Sequence, residues 1–299
     1  IVLGEPTDDR FECDEIAGWG TAVASGEPIS SSLPPPSMFR PADEVAAQLS
    51  RVAPMKPSKA ELATGCGPSA LACVVVAAHR TSPEWAHSAG LPVVSYKREV
   101  TPDNLYVVPN VWHEHAVYLH YICSFYDHLP PLTAFLHGHR ASWHNRQKPA
   151  ISQLKQLPLA KLAEAKDVYY SFNNGIDSQY CINAHTIPNE IQGWQRELRA
   201  QAHSWDRVMF PTLGPPPRGC GGYCCTQFLV SRDRIRARPH AFWRKLLADL
   251  LDEGTPDVCK LSGHTLELTW GYILGEPSNF TCRKDGWGVS GERFGFTRK

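Results

Sequence analysis

Two histidines separated by one glycine have the spacing best suited to metal or phosphate chemistry in this sequence. His137 and His139 follow a short apolar run, Leu132–Leu136, that predicts a strand. Alternate residues of an extended chain point to the same side, so both imidazoles can face one point while Gly138 lets the backbone pass close to a ligand. We interpret the two histidines as metal ligands or substrate contacts, with His144 as a third donor or a phosphate contact. The alternative is a set of hydrogen-bonded structural residues, because the chain contains 13 histidines.

A histidine and a glutamate share one face of a predicted helix, His264–Leu274. His264 and Glu267 are three residues apart and therefore lie side by side, whereas Leu266 and Trp270 lie on another face that packs inward. This arrangement suits a ligand, His264, beside a general base, Glu267. From spacing alone, an ordinary exposed pair remains the alternative.

Further candidates follow the first predicted strand and begin the first long predicted helix. Arg80 could hold a phosphate and Trp85 could stack on a base, or the two could be a surface arginine and a packed tryptophan. Glu114 lies between His113 and His115 at the helix start, where a carboxylate also suits the positive end of the helix dipole.

The elements that must position these residues alternate between short strands and helices, which predicts an α/β domain with a largely parallel sheet. We expect a Pro/Ser-rich N-terminal arm over residues 1–70, a single α/β domain over 71–276 and a tail over 277–299. The predicted strands are Cys73–Ala78, Pro92–Tyr96, Leu105–Val108, Leu132–Leu136, Val168–Phe172 and Thr226–Val230. The predicted helices are His113–His128, Ile151–Ala165, Asn189–Ser204, Pro239–Leu251 and His264–Leu274.

Composition excludes several classes of protein. Thirty basic residues balance thirty acidic ones, so no overall field attracts nucleic acid or an anionic membrane. The longest apolar run, Leu71–Ala78, is too short for the roughly 20 residues of a membrane span. The chain starts at Ile1, so a signal peptide or membrane anchor before it stays open.

Cysteine usage predicts an oxidising compartment. Ten cysteines fit up to five disulfides, and the sequon at Asn279 adds a potential glycosylation site, so we expect the secretory-pathway lumen or the extracellular space. Zinc at Cys220, Cys224 and Cys225 competes poorly, because adjacent cysteines lack the usual ligand spacing. Cys73, in an apolar strand, is interpreted as a buried thiol that acts as a small hydrophobe.

Taken in order, the motifs resemble domain-of-unknown-function family 3431 across about residues 72–276. The resemblance is carried by Cys73–Arg80 with Trp85, Pro92–Lys97, Pro109–Glu114, Tyr118–Ile122, Tyr126–Pro130, Phe135–His139 with Trp143 and His144, Gln227–Ile235, and Glu267 with Trp270. That family in turn resembles a distant glycosyltransferase-A fold, a Rossmann-like sheet flanked by helices that binds a nucleotide-sugar donor.

The resemblance implies roles for particular residues. Asn110 would precede the site's helix, His137 and His139 would replace the usual Asp-x-Asp at the metal, and Glu267 would be the acidic base. Trp112 and His113 replace the glycine and arginine usual in the family, which weakens a phosphate-binding role for that turn. Because two neutral imidazoles bring no negative charge, Mn²⁺ or Zn²⁺ would suit the site better than Mg²⁺, and a metal-free site is the alternative.

The leading hypothesis is a glycosyltransferase that moves a sugar from a nucleotide-sugar to a hydroxyl of a glycan or glycoprotein acceptor, with inversion. The predicted substrate-binding residues are Arg80, Trp85, Asn110, Glu114, Trp143, His144 and His264. The alternative is a non-catalytic extracellular structural glycoprotein that keeps the fold and assembles with itself or another chain through the N-terminal arm. A metal-dependent hydrolase is weaker, because few carboxylates follow the predicted strands.

Overall fold

The computed structural model describes the central α/β body of the chain. The described residues are 62, 66–78, 81–97, 113–141, 145, 148–173, 179–182, 210–214, 220–223, 225–252, 266–267 and 269–277. Most of the predicted arm, the predicted strand Leu105–Val108, the predicted helix Asn189–Ser204 and the tail beyond residue 277 lie outside them.

A five-stranded sheet forms the centre of the body. Its strands are β1 (Ala72–Ala78), β2 (Val93–Lys97), β3 (Leu132–His137), β4 (Tyr169–Ser171) and β7 (Phe228–Ser231), in the order β2-β1-β3-β7-β4. β1 pairs in parallel with β2 and β3, whereas β7 pairs antiparallel with β3 and β4. The expected α/β class is confirmed, and the sheet is mostly parallel with β7 reversed.

Two strands lie apart from this sheet. β5 (Gln179–Ile182) and β6 (Cys220–Tyr223) form an antiparallel pair of their own. The Pro-Gly composition of residues 211–222 predicts only a loop that separates the fifth and sixth predicted strands, so β6 was missed. Its sequence, with two glycines in four residues, lacks the β-branched and aromatic pattern on which strand prediction depends.

The helices cover both faces of the large sheet. They are α1 (His115–Phe125), α2 (Ala150–Leu154), α3 (Leu159–Ala165), α4 (Phe210–Leu213), α5 (Arg232–Arg236) and α6 (His240–Asp252), with helical turns at Glu84–Ala89 and Tyr126–His128. A further helical segment spans residues 266–267 and 269–273. Among these described helices, none is long and apolar enough to cross a membrane.

Alternation along β1 divides the core into two layers. Cys73 and Val75 pack with α1 and α6 on one face, and Val74 and Val76 pack with α2 and α3 on the other. All eleven residues of α1 are buried, so this helix is covered on every side rather than along the single predicted stripe.

One predicted helix is broken in the structure. Ile151–Ala165 separates into α2 and α3, and Pro158 takes the N-cap position of α3. Proline has no backbone N–H and disfavours helical geometry in the residue before it, so a continuous helix cannot pass through this point.

Cysteine pairing corrects one prediction. Cys73 is not a buried free thiol, because it forms a disulfide with Cys66 seven residues earlier. Cys225 is also disulfide-bonded, whereas Cys123 is a buried free cysteine on α1. The Cys66 bridge ties the residues just before β1 to the core.

Candidate functional site

The carboxyl end of β3 presents two imidazole rings side by side. The ring centroids of His137 and His139 lie 5.7 Å apart, and the ring planes are nearly perpendicular at 81°. His137 is paired in register with Ala77 of β1, so the rings emerge beside the end of a central strand. The structure therefore brings together the two residues that the sequence predicts as ligands.

Gly138 is required by a close approach of two strands. A Cβ at this position would lie 2.8 Å from the Ala77 carbonyl oxygen and 2.8 Å from the Ala78 Cα. The glycine was expected to admit a ligand, but it is the backbone of β1 that occupies this space. The Gly138 carbonyl also accepts hydrogen bonds from Thr81 Oγ1 at 3.0 Å and Trp85 Nε1 at 3.2 Å. Trp85 thus ties Gly138 to the helical turn Glu84–Ala89.

Glu114 connects the start of α1 to the strand-end histidines. It occupies the N-cap position of α1, but its carboxylate contacts His137 rather than capping the helix. Glu114 Oε1 lies 3.0 Å from His137 Nε2, and the two side chains are only 12% and 13% exposed. An ionised carboxylate can only accept, so His137 donates its Nε2–H.

The charge of Glu114 is favoured by this contact. Burial of the carboxyl would raise its pKa, but the attraction of His137 and the hydrogen bond between them outweigh that effect. The pKa of Glu114 is therefore well below its ordinary value of 4.5.

A second carboxylate approaches Glu114. One oxygen each from Glu114 and Glu267 and one nitrogen of His115 all lie within 4.8 Å of one another. Glu267 lies on the helical segment after residue 265, and its Oε2 accepts the backbone N–H of Cys225 at 3.2 Å. Cys225 and Thr226 both have positive φ, 68° and 32°, an unusual conformation for residues other than glycine.

The ring of His115 also contacts Trp270. Trp270 Nε1 lies 3.0 Å from His115 Nδ1, and both side chains are completely buried. By residue type and proximity, a metal ion could be held by His115, Glu114 and Glu267. Whether this imidazole can be a ligand depends on which of its nitrogens carries a proton, because only an unprotonated nitrogen can bind a cation.

Four predicted residues, His137, His139, Glu114 and Glu267, thus lie in one linked group, and Trp85 supports it through Gly138. The remaining candidates, Arg80, Asn110, Trp143, His144, His264 and Asn279, lie outside the described residues. The sequence interpretation left His115, Trp270 and Cys225 out of the site. A signal for His115 was present in the His113-Glu114-His115 cluster, but no local pattern indicated the contact from Trp270, 155 residues away.

Acid is expected to destabilise the protein in part through Glu114. Because its pKa is lower in the folded protein than in the unfolded chain, its stabilising contribution is complete above the ordinary pKa and is lost as the pH falls through the folded value. Glu114→Gln should be less stable than the wild type near neutral pH but lose less unfolding free energy on acidification. Urea unfolding of both proteins with a chelator present, near neutrality and at about pH 4, measures how much unfolding free energy each loses on acidification. Equal losses in the two proteins would contradict the assignment.

The comparison with known families agrees with the motifs. The chain matches the family model described as protein of unknown function (DUF3431) over residues 73–287, from the second residue of β1 to beyond the helical segment that carries Glu267. No curated protein and no solved structure matches the chain. The family resemblance drawn from the ordered motifs is confirmed, and the chain belongs to the DUF3431 family of proteins of unknown function.

Proposed function

We propose that this protein is a glycosyltransferase that moves a sugar from a nucleotide-sugar donor to a hydroxyl acceptor. The observation that carries the proposal is the proximity of Glu267 to Glu114, which is itself bonded to the strand-end residue His137. A carboxylate and two imidazoles at a sheet edge supply the two functions that the reaction needs: removal of a proton and neutralisation of a leaving diphosphate.

Glu267 is the proposed general base. As the acceptor oxygen attacks the anomeric carbon, Glu267 takes the hydroxyl proton, and the bond from that carbon to the phosphate oxygen breaks with its electrons on the diphosphate. Attack opposite the leaving group inverts the configuration. The backbone N–H of Cys225 fixes one carboxylate oxygen, which keeps Glu267 in one orientation.

His137 and His139 are the proposed contacts of the departing diphosphate, directly or through a cation. His137 donates Nε2–H to Glu114, and this hydrogen bond fixes the direction of the ring. A carboxylate behind an imidazole is the arrangement that commonly orients histidines at metal sites, and it adds the negative charge that two imidazoles lack. The residues therefore fit Mn²⁺ or Zn²⁺, which would neutralise charge on the diphosphate.

An oxidising compartment suits this chemistry and this chain. The disulfide between Cys66 and Cys73 and the disulfide bond of Cys225 would be unstable against cytosolic reductants. We therefore propose the secretory-pathway lumen or the extracellular space, where glycans and glycoproteins are available as acceptors.

Donor binding can be tested by thermal unfolding with a panel of nucleotide-sugars, each with and without Mn²⁺. A donor at 100 times its dissociation constant adds about 2.7 kcal/mol of stability, which corresponds to a rise in Tm of about 5–10 °C for a domain of this size. His137→Ala combined with His139→Ala should abolish the rise, and His87→Ala, at an exposed histidine, should keep it. If no donor raises Tm, a non-catalytic structural or assembly role replaces the enzymatic proposal.

A further inference from the structure

The contact between Trp270 and His115 determines where the proton of His115 lies. An indole nitrogen can only donate a hydrogen bond, so the 3.0 Å contact requires a lone pair on His115 Nδ1. A neutral imidazole carries one proton, which must then be on Nε2. Addition of a second proton would place N–H against N–H and break the contact inside a fully buried pair.

We propose that His115 is a positioning residue, fixed by Trp270 as the Nε2–H tautomer, whose proton is offered to the carboxylates of Glu114 and Glu267. This ring has no lone pair left for a cation, since Nδ1 accepts from Trp270 and Nε2 is protonated. The two carboxylates of Glu114 and Glu267 therefore accept hydrogen bonds from N–H donors, and a cation would bind instead at His137 and His139.

Two carboxylates this close repel each other when both are ionised, and donors reduce that cost. Glu114 accepts from His137, and Glu267 accepts from the Cys225 backbone. One nitrogen of His115 lies within 4.8 Å of an oxygen of each carboxylate, and in the proposed tautomer Nε2–H is the third donor. This part of the inference rests on the proposed function: an N–H donor beside Glu267 fixes the direction of the carboxylate that would act as the general base.

The tautomer can be measured directly by NMR of the ¹⁵N-labelled imidazole, with the His115 signals assigned by their loss in His115→Gln. The wild type should show a protonated Nε2 and an unprotonated Nδ1, and titration with Zn²⁺ should leave both signals in place. Trp270→Phe should remove the single-tautomer pattern. Trp243→Phe is a matched control, because Trp243 is equally buried and stacks on Trp270, but its N–H bonds to the Ile235 carbonyl.

A protonated Nδ1 in the wild type, a Zn²⁺-shifted His115 signal, or equal spectra in the wild type and Trp270→Phe would overturn the proposal. In a transfer assay, Trp270→Phe should lower kcat by about 10-fold or more at unchanged donor KM, relative to Trp243→Phe. His115→Gln, which keeps an amide N–H donor, should retain more activity than His115→Ala, and equal activities would refute the positioning role. An inactive wild type would remove the proposed function, whereas the NMR result would still decide the tautomer.

Discussion

Replacing Glu267 by glutamine is expected to lower the rate of sugar transfer by about 10²–10⁴-fold, the usual contribution of a general base. Glutamine has nearly the same shape and can still accept the Cys225 N–H, so the local structure should persist. It cannot take the acceptor's proton, so the loss should appear in kcat, while donor affinity stays nearly unchanged.

The assay measures sugar transfer and donor binding on the same preparations. Glu164→Gln, which makes the same change at an exposed position of α3, should have wild-type activity. Transfer at the normal rate by Glu267→Gln would show that another group takes the proton. A matched loss of donor binding would instead place Glu267 among the binding contacts.

Replacing Arg234 by methionine is expected to lower the free energy of unfolding by about 3–5 kcal/mol, because it leaves a buried acidic partner without its cation. Arg234 on α5 is 7% exposed and contacts Glu276, which is 2% exposed, at 2.6 Å. It also donates to the Leu274 carbonyl at 3.0 Å and to Asp167 at 2.7 Å. The side chain thus joins α5 to the end of the helical segment that carries Glu267.

Urea unfolding measures this loss, and Arg236→Met provides the control. Arg236 lies on the same short helix but is exposed and bonds to the Tyr126 carbonyl, so its replacement should cost less than about 1 kcal/mol. The double variant Arg234→Met, Glu276→Met should recover part of the stability, since it removes both buried charges. Equal losses at Arg234 and Arg236 would contradict the proposed buried pair.

Much of the local structure followed from the sequence. β1, β2, β3, α1 and α6 lie within a few residues of their predicted bounds, because the strands are short and mostly apolar runs and the helices carry apolar residues at helical spacing. The reversed direction of β7 was not predictable from its pattern, since a buried strand has the same sequence signature whichever way it runs. The β5 and β6 strands were missed because their local preference for extended structure is weak, and it is their pairing with each other that stabilises them.

The residue types available for chemistry and the family membership could be read from the chain, because the ordered motifs and the spacing of His137 and His139 are properties of the sequence. Which of these residues contact one another depends on the folded structure. Glu114 joins His137 across 23 residues, and Trp270 reaches His115 across 155. Contacts at such separations depend on the packing of α1 and the C-terminal helical segment beside the sheet, and no local pattern encodes them. The proton position on His115, and with it the distinction between a ligand and a donor, is a consequence of that packing.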